Sequence, residues 1–137
     1  MRTAIDTNVL SALWSSEPGA QEIFQQLGNA KDLGALLIAL IVYAELLAYP
    51  KATQAFLDRF LSDTGITADF QLDESVWVDA GRRFARYAGH RRKSGSGEPK
   101  RLLADFLIGS HALLQADRLM SLDSTRYKHY FPELKLV

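Results

Sequence analysis

Residues 35–49, ALLIALIVYAELLAY, form an almost unbroken apolar run that carries one carboxylate, Glu45. GALLIA reads as a buried strand, and LIVYAELLAY as a helix that stops before Pro50, because the residue ahead of a proline disfavours helical backbone. Upstream, the β-compatible RTAI leads into DTNVLSALW, where Thr7 or Asn8 can cap a helix. A second helix is expected from near Pro18 through AQEIFQQLG, ending toward Gly28. KATQAFLDRFLSDTG sets Ala55, Phe56, Phe60 and Leu61 near helical spacing, with Gly65 beyond the end. ITADFQL predicts a short strand, and Val76, Trp77, Ala80, Phe84 and Tyr87 repeat at three and four residues in a long helix from about Asp73. KSGSGEP is the clear flexible stretch. KRLLADFLIGSHALLQA follows as a mostly buried helix, then RLMSL and ELKLV as short strands. Strands alternating with helices predict an α/β fold: a single domain over residues 1–137 with a mainly parallel central sheet flanked by helices.

Composition narrows the function classes more than the fold. Hydrophobic residues are 47% and charged residues 23%, a globular balance. With no cysteine, disulfides and thiolate metal sites are excluded, which fits a reducing compartment. The start lacks a basic segment followed by an apolar one, so no secretory signal is read there. Glu45 interrupts the apolar run short of the roughly 18 residues that a membrane span needs, and a soluble cytoplasmic protein is expected. Zero net charge hides an asymmetry: Arg82 to Arg101 holds eight basic residues and one acid, +7, leaving −7 elsewhere. Such a segment suits a polyanion or forms a solvated helix face.

Four carboxylates carry the candidate chemistry. Asp6 ends the first strand, Glu45 lies in the apolar helix, Asp105 sits in LLADFLIGSHALL, and Asp123 ends LMSLD. In parallel α/β sheets, sites collect beyond the carboxyl ends of the strands, where Asp6 and Asp123 would point and where the starts of the other two helices can lie. Each acid also has a structural reading. Asp6 can cap the next helix, Asp123 can open the turn DSTR, Glu45 can pair with a buried arginine, and Asp105 with Arg101 one turn earlier. Four converging carboxylates would repel one another unless something positive stood at their centre, and a hard divalent cation, Mg²⁺ or Mn²⁺, meets that need.

AIDTNVL, VYAELLA, LLADFLIGSHALL and LMSLD, in this order, resemble the four acidic motifs of PIN-domain ribonucleases, and of VapC toxins of bacterial toxin–antitoxin pairs in particular. The resemblance implies a PIN-like domain in which Asp6, Glu45, Asp105 and Asp123 are catalytic and hold the metal. Asn8 and Ser121 match the family's supporting polar positions. Thr125 stands where some members place a further carboxylate, and Ala39 where relatives often carry a hydroxyl. The implied reaction is Mg²⁺-dependent hydrolysis of RNA phosphodiester bonds by metal-activated water, leaving 5′-phosphate and 3′-hydroxyl ends. The implied partners are RNA, a VapB-type antitoxin whose helix packs into a groove, and a second copy in a homodimer. Leu10, Leu13, Trp14, Phe24 and Leu27 are apolar candidates for that groove, though core positions are the commoner use of such residues. Arg91, Arg92, Lys93, Lys100 and Arg101 are candidates for RNA contact through phosphates.

Other chemistries fit less well. A haloacid-dehalogenase-type phosphatase needs D-x-D, and position 8 is Asn. There is no G-x-S-x-G elbow and no G-x-x-x-x-G-K phosphate loop. His90, His111 and His129 show no zinc spacing, and His111 is expected to be packed or at a rim. A catalytically idle RNA- or protein-binding module on the same fold is the alternative of a different class.

Overall fold

Among the described residues, four short strands, β1 (Thr3–Ile5), β2 (Leu36–Ala39), β3 (Ile66–Asp69) and β4 (Arg118–Met120), pair in the order β3-β2-β1-β4, every pair parallel. The computed structural model describes residues 1–95 and 101–137. Every residue of β1 and β2 is buried, which is why LLIA of β2 reads as a continuous apolar run and not as alternation. Edge strand β3 buries Ile66 and exposes Thr67. Among the described residues, seven helices complete this α/β fold: α1 (Thr7–Trp14), α2 (Ala20–Leu33), α3 (Leu40–Leu47), α4 (Gln54–Thr64), α5 (Glu74–Ser94), α6 (Leu103–Gln115) and α7 (Thr125–Lys128).

The differences from the sequence reading have local causes. Helix α2 runs past Gly28 to Leu33, because Ile23, Leu27 and Ala30 continue one buried stripe while Gly28 faces solvent. Burial of that stripe outweighs the roughly 1 kcal/mol that an internal glycine costs. The cap of α1 is Asp6, not Thr7 or Asn8, since β1 turns directly into the helix with one residue between them. Thr53 caps α4 by accepting the Phe56 N–H, and Gly65 ends it in the left-handed conformation (φ 70°). ELKLV forms no strand of its own: Leu136 makes a single parallel bridge to Leu119. Residues 96–100, which hold most of the SGSGEP stretch and Lys100, lie outside the described residues.

Arg83 departs furthest from its expected place. It belongs to the basic stretch in sequence, yet its side chain turns inward and is only 10% exposed. Nε meets Asp79 Oδ2 at 2.9 Å, Nη1 meets Glu133 Oε1 at 2.8 Å, and Nη1 also donates to the Tyr130 carbonyl. The guanidinium lies 4.5 Å from the centroid of the Phe131 ring, a cation–π placement. Asp79 Oδ2 accepts a further hydrogen bond from Ser110 (2.7 Å), so this group ties α5, α6 and the C-terminal segment together. Beside it, Gly109 of α6 is pressed against Phe131. A Cβ there would stand 2.6 Å from two ring carbons, and the ring is packed on Phe106 and Tyr127. Gly109→Ala is expected to destabilise the fold by about 1–3 kcal/mol through overpacking. Urea unfolding measures this; an unchanged midpoint would mean that the ring moves freely.

Candidate active site at the strand ends

The chain leaves β1 toward β2 on one side and returns to β4 on the other, so the switch point of the sheet lies beyond the carboxyl ends of β1 and β4. Asp6 occupies it and is 2% exposed. Oδ1 caps α1 by accepting the Thr7 N–H (2.8 Å), and Oδ2 accepts the hydroxyls of Ser121 and Tyr127, each at 2.9 Å. The cap reading of Asp6 therefore holds, but it uses only one oxygen. Burial, together with the Asp6 charge, pushes the Tyr127 phenol far above its usual range, so it remains a donor to Asp6.

Ser121 and Asn8 join the two strand ends. The Ser121 hydroxyl donates to Asp6 and accepts from the Asp123 N–H (3.0 Å) and from Asn8 Nδ2 (3.4 Å), which uses its donor and both acceptor positions. Asn8 Oδ1 accepts the Leu122 N–H. Glu45 lies one turn into α3, whose Val42, Tyr43 and Leu46 point into the core. The carboxylate itself is exposed and accepts the Thr7 hydroxyl at 2.6 Å. Its apolar setting is a property of the sequence, not of its surroundings in space, and no buried arginine pairs with it.

Asp105 sits in the first turn of α6 with its side chain 17% exposed. Burial pushes its carboxyl above the usual carboxylate range. Arg126 opposes this, while the Asp6 charge adds to it. Asp123 is held below that range by the Thr125 hydroxyl (2.8 Å), with Arg126 adding to the effect. One guanidinium serves both acids: Arg126 Nη1 lies 3.4 Å from Asp105 Oδ1, and Nε lies 3.3 Å from Asp123 Oδ2. Asp105 thus pairs with Arg126 and not with Arg101, as its sequence spacing allowed.

Asp6, Asp105 and Asp123 are brought together around Tyr127 and Arg126, and Glu45 joins Asp6 through Thr7. Chemically this is a set of hard oxygen donors, suited to a hard cation. As the side chains stand, no group of three or more His, Asp or Glu among the described residues is set to hold a metal ion. Both Asp6 oxygens face hydrogen-bond donors, and Arg126 neutralises the other pair.

The family model of the PIN domain matches residues 3–131. The chain belongs to the PIN-domain family. No curated protein sequence matches it significantly. Among the solved structures of similar fold are three VapBC complexes. The first is VapBC2 from Rickettsia felis bound to a DNA fragment from its promoter (20% identity, 100% of this chain and 98% of that chain covered, TM-score 0.70). The second is VapBC-1 from nontypeable Haemophilus influenzae (20%, 100% and 97%, 0.67), and the third is DNA-bound VapBC from Salmonella typhimurium (18%, 100% and 97%, 0.66). At these identities the likeness is one of fold.

The remaining candidates of this PIN domain divide. Arg91 donates to the Tyr87 hydroxyl (3.1 Å), and the Arg101 N–H donates to the same oxygen (2.6 Å). Arg101 lies close enough for its charge to favour the ionised forms of Asp105 and Asp123, a smaller effect on each than that of Arg126. Arg92 and Lys93 are exposed on α5, and Lys100 lies outside the described residues. Of the apolar groove candidates, Leu10, Leu13 and Leu27 are core, while Trp14 is half-buried and Phe24 exposed. Trp14 meets Tyr49, Phe56 and Phe60 edge-on at a cavity of about 250 Å³ that Pro50, Lys51 and Ala52 complete. His111 is fully buried, with Nε2 2.9 Å from Asp69 Oδ2, the packed role expected of it. Among the described residues no helix is long and apolar enough to cross a membrane. Sequence reasoning missed Thr7, Arg126 and Tyr127. The one signal for Arg126 is its position three residues after Asp123, where a short helix brings the two together.

Proposed function

We propose that this PIN domain is a Mg²⁺-dependent endoribonuclease, the toxin of a VapBC-type toxin–antitoxin pair. What supports this reading is that Asp6, Asp105 and Asp123 lie around Tyr127 and Arg126 beyond the ends of β1 and β4, with Glu45 linked to Asp6 through Thr7. Asp6, Glu45, Asp105 and Asp123 would hold a divalent cation, which when bound would supply Lewis acidity toward water and phosphate oxygens. Ser121 and Tyr127 hold the Asp6 carboxylate in place, and Asn8 holds Ser121. Arg91, Arg92, Lys93, Lys100 and Arg101 would bind RNA through phosphates, making affinity fall with salt without reading bases. The VapBC complexes of similar fold support a VapB-type antitoxin as the protein partner. Trp14, Phe24 and Phe56 would be its apolar contacts, and a homodimer would be the assembly.

The test is controlled bacterial expression of the wild type beside Asp6→Asn. This variant keeps the cap to Thr7 through its amide oxygen but removes the oxygen that accepts from Ser121 and Tyr127, so its fold is checked by circular dichroism. Growth arrest by the wild type only, relieved by a co-expressed small protein from the neighbouring gene, is the expected result. It should be matched by Mg²⁺-dependent RNA cleavage that a chelator stops. Equal arrest by both proteins would overturn the assignment. Neither arrest nor cleavage would favour the idle binding module, the reading that the grip of Arg126 on Asp105 and Asp123 supports.

A further inference from the structure

We propose that Arg126 is a built-in counter-cation of the acidic site, which a divalent cation must displace before the carboxylates can hold it. The inference rests on reading the site as a metal centre, and it assigns Arg126 the control of metal entry.

Two arginines of this protein bridge acids from different elements, and the contrast between them carries the argument. Arg83 holds its carboxylates at 2.9 and 2.8 Å, takes a backbone carbonyl as well, and is 10% exposed. Charge-assisted hydrogen bonds of this length are the strong ones. Arg126 stands 3.4 and 3.3 Å from its two acids and is 35% exposed. At that length and exposure each contact is worth little, in the range of a surface ion pair. Arg83 is therefore a fixed structural tie and Arg126 a loose one. Its facing groups are Asp105 from α6, Asp123 from the turn after β4, and the Asp6 charge, with Tyr127 beside it and Arg101 the nearest competing cation.

Its mounting suits exchange. Tyr127, next in sequence, is fully buried and bonded to Asp6, so α7 is anchored and only the Arg126 side chain has to move. The cleft behind it, lined by Arg101, Asp105, Phe106, Tyr127, Tyr130 and Phe131, is too narrow to admit a water molecule. The guanidinium can leave only toward solvent. When it goes, Asp105 and Asp123 lose the one cation that both of them contact among the described residues.

The test is Mn²⁺ binding to purified wild type, Arg126→Gln and Arg126→Lys, read by calorimetry and by the rise in melting temperature at fixed ionic strength. Arg126→Gln should bind Mn²⁺ about tenfold tighter, the order expected when one or two loose ion pairs no longer have to be given up. Its metal-free melting temperature should be no higher than that of the wild type. Arg126→Lys should fall between them, because an ammonium is a point charge without the planar fork that spans both acids. Equal or weaker Mn²⁺ binding by Arg126→Gln, with the wild type binding normally, would overturn the counter-cation role and leave the metal centre standing. No Mn²⁺ binding by any of the three would overturn both.

Discussion

Asp105→Asn is expected to lower Mg²⁺-dependent RNA cleavage by more than about 100-fold, beyond the loss usual for partners outside the metal's own ligands, while the domain stays folded. The folded state raises the Asp105 pKa, chiefly by burial, so it binds a proton more readily than the unfolded chain does. Stability from this group is then present at low pH and is lost as pH rises through the raised value. At neutral pH the ionised carboxylate weakens the metal-free fold, and a neutral amide of the same shape relieves it, keeping an oxygen for Arg126. The variant should melt at the wild-type temperature or slightly above it. Cleavage by the wild type should fall as pH drops through the same value, because a protonated carboxyl is a poor ligand for a cation. Calorimetric melting beside a cleavage assay checks both. A variant that melts well below the wild type would make Asp105 a structural residue, and retained cleavage would remove it from the site.

Arg83→Met should be the most damaging change away from the site, costing about 3 kcal/mol or more. Breaking a buried pair by removing one partner leaves the other uncompensated, and here Asp79 would keep only Ser110 among the described residues. The Tyr130 carbonyl would lose its charged donor, and Phe131 the cation over its ring. Glu133 adds a pH signature. The hydrogen bond from Arg83 holds its carboxyl below the usual glutamate range. Its contribution is therefore present above the unfolded value of about 4.3 and is lost as pH falls through the lower folded value. Since Glu133 is more than half exposed, that part is small. Urea unfolding across this acid range should show the wild type losing stability that Arg83→Met no longer has to lose. Equal stability of the two proteins at neutral pH would mean that the pair adds nothing to the fold.

The positions of the four acids were legible in the chain because motif spacing is a one-dimensional property. A strand that turns directly into a helix must place its last carboxylate at the sheet end, as with Asp6. What surrounds each acid was not legible. Glu45 stands in fifteen mostly apolar residues, yet it is exposed, because the helical turn sends Val42, Tyr43 and Leu46 inward and position 45 to the rim. Arg83 and Arg126 look alike in sequence, each in a polar segment. One is a buried tie and the other a loose counter-charge, and the distinction depends on Glu133 and Asp105, far from each along the chain. Tyr127 escaped notice because its partner, Asp6, is 121 residues away.

By itself, then, the sequence determined the α/β order of elements and the parallel sheet, and it singled out four carboxylates as candidates, since apolar periodicity and spacing act along the chain. The tertiary structure alone decided which carboxylate is buried, which is held by hydroxyls and which cation neutralises the site. Those outcomes depend on through-space distance and access to water, and residues remote in sequence supply both.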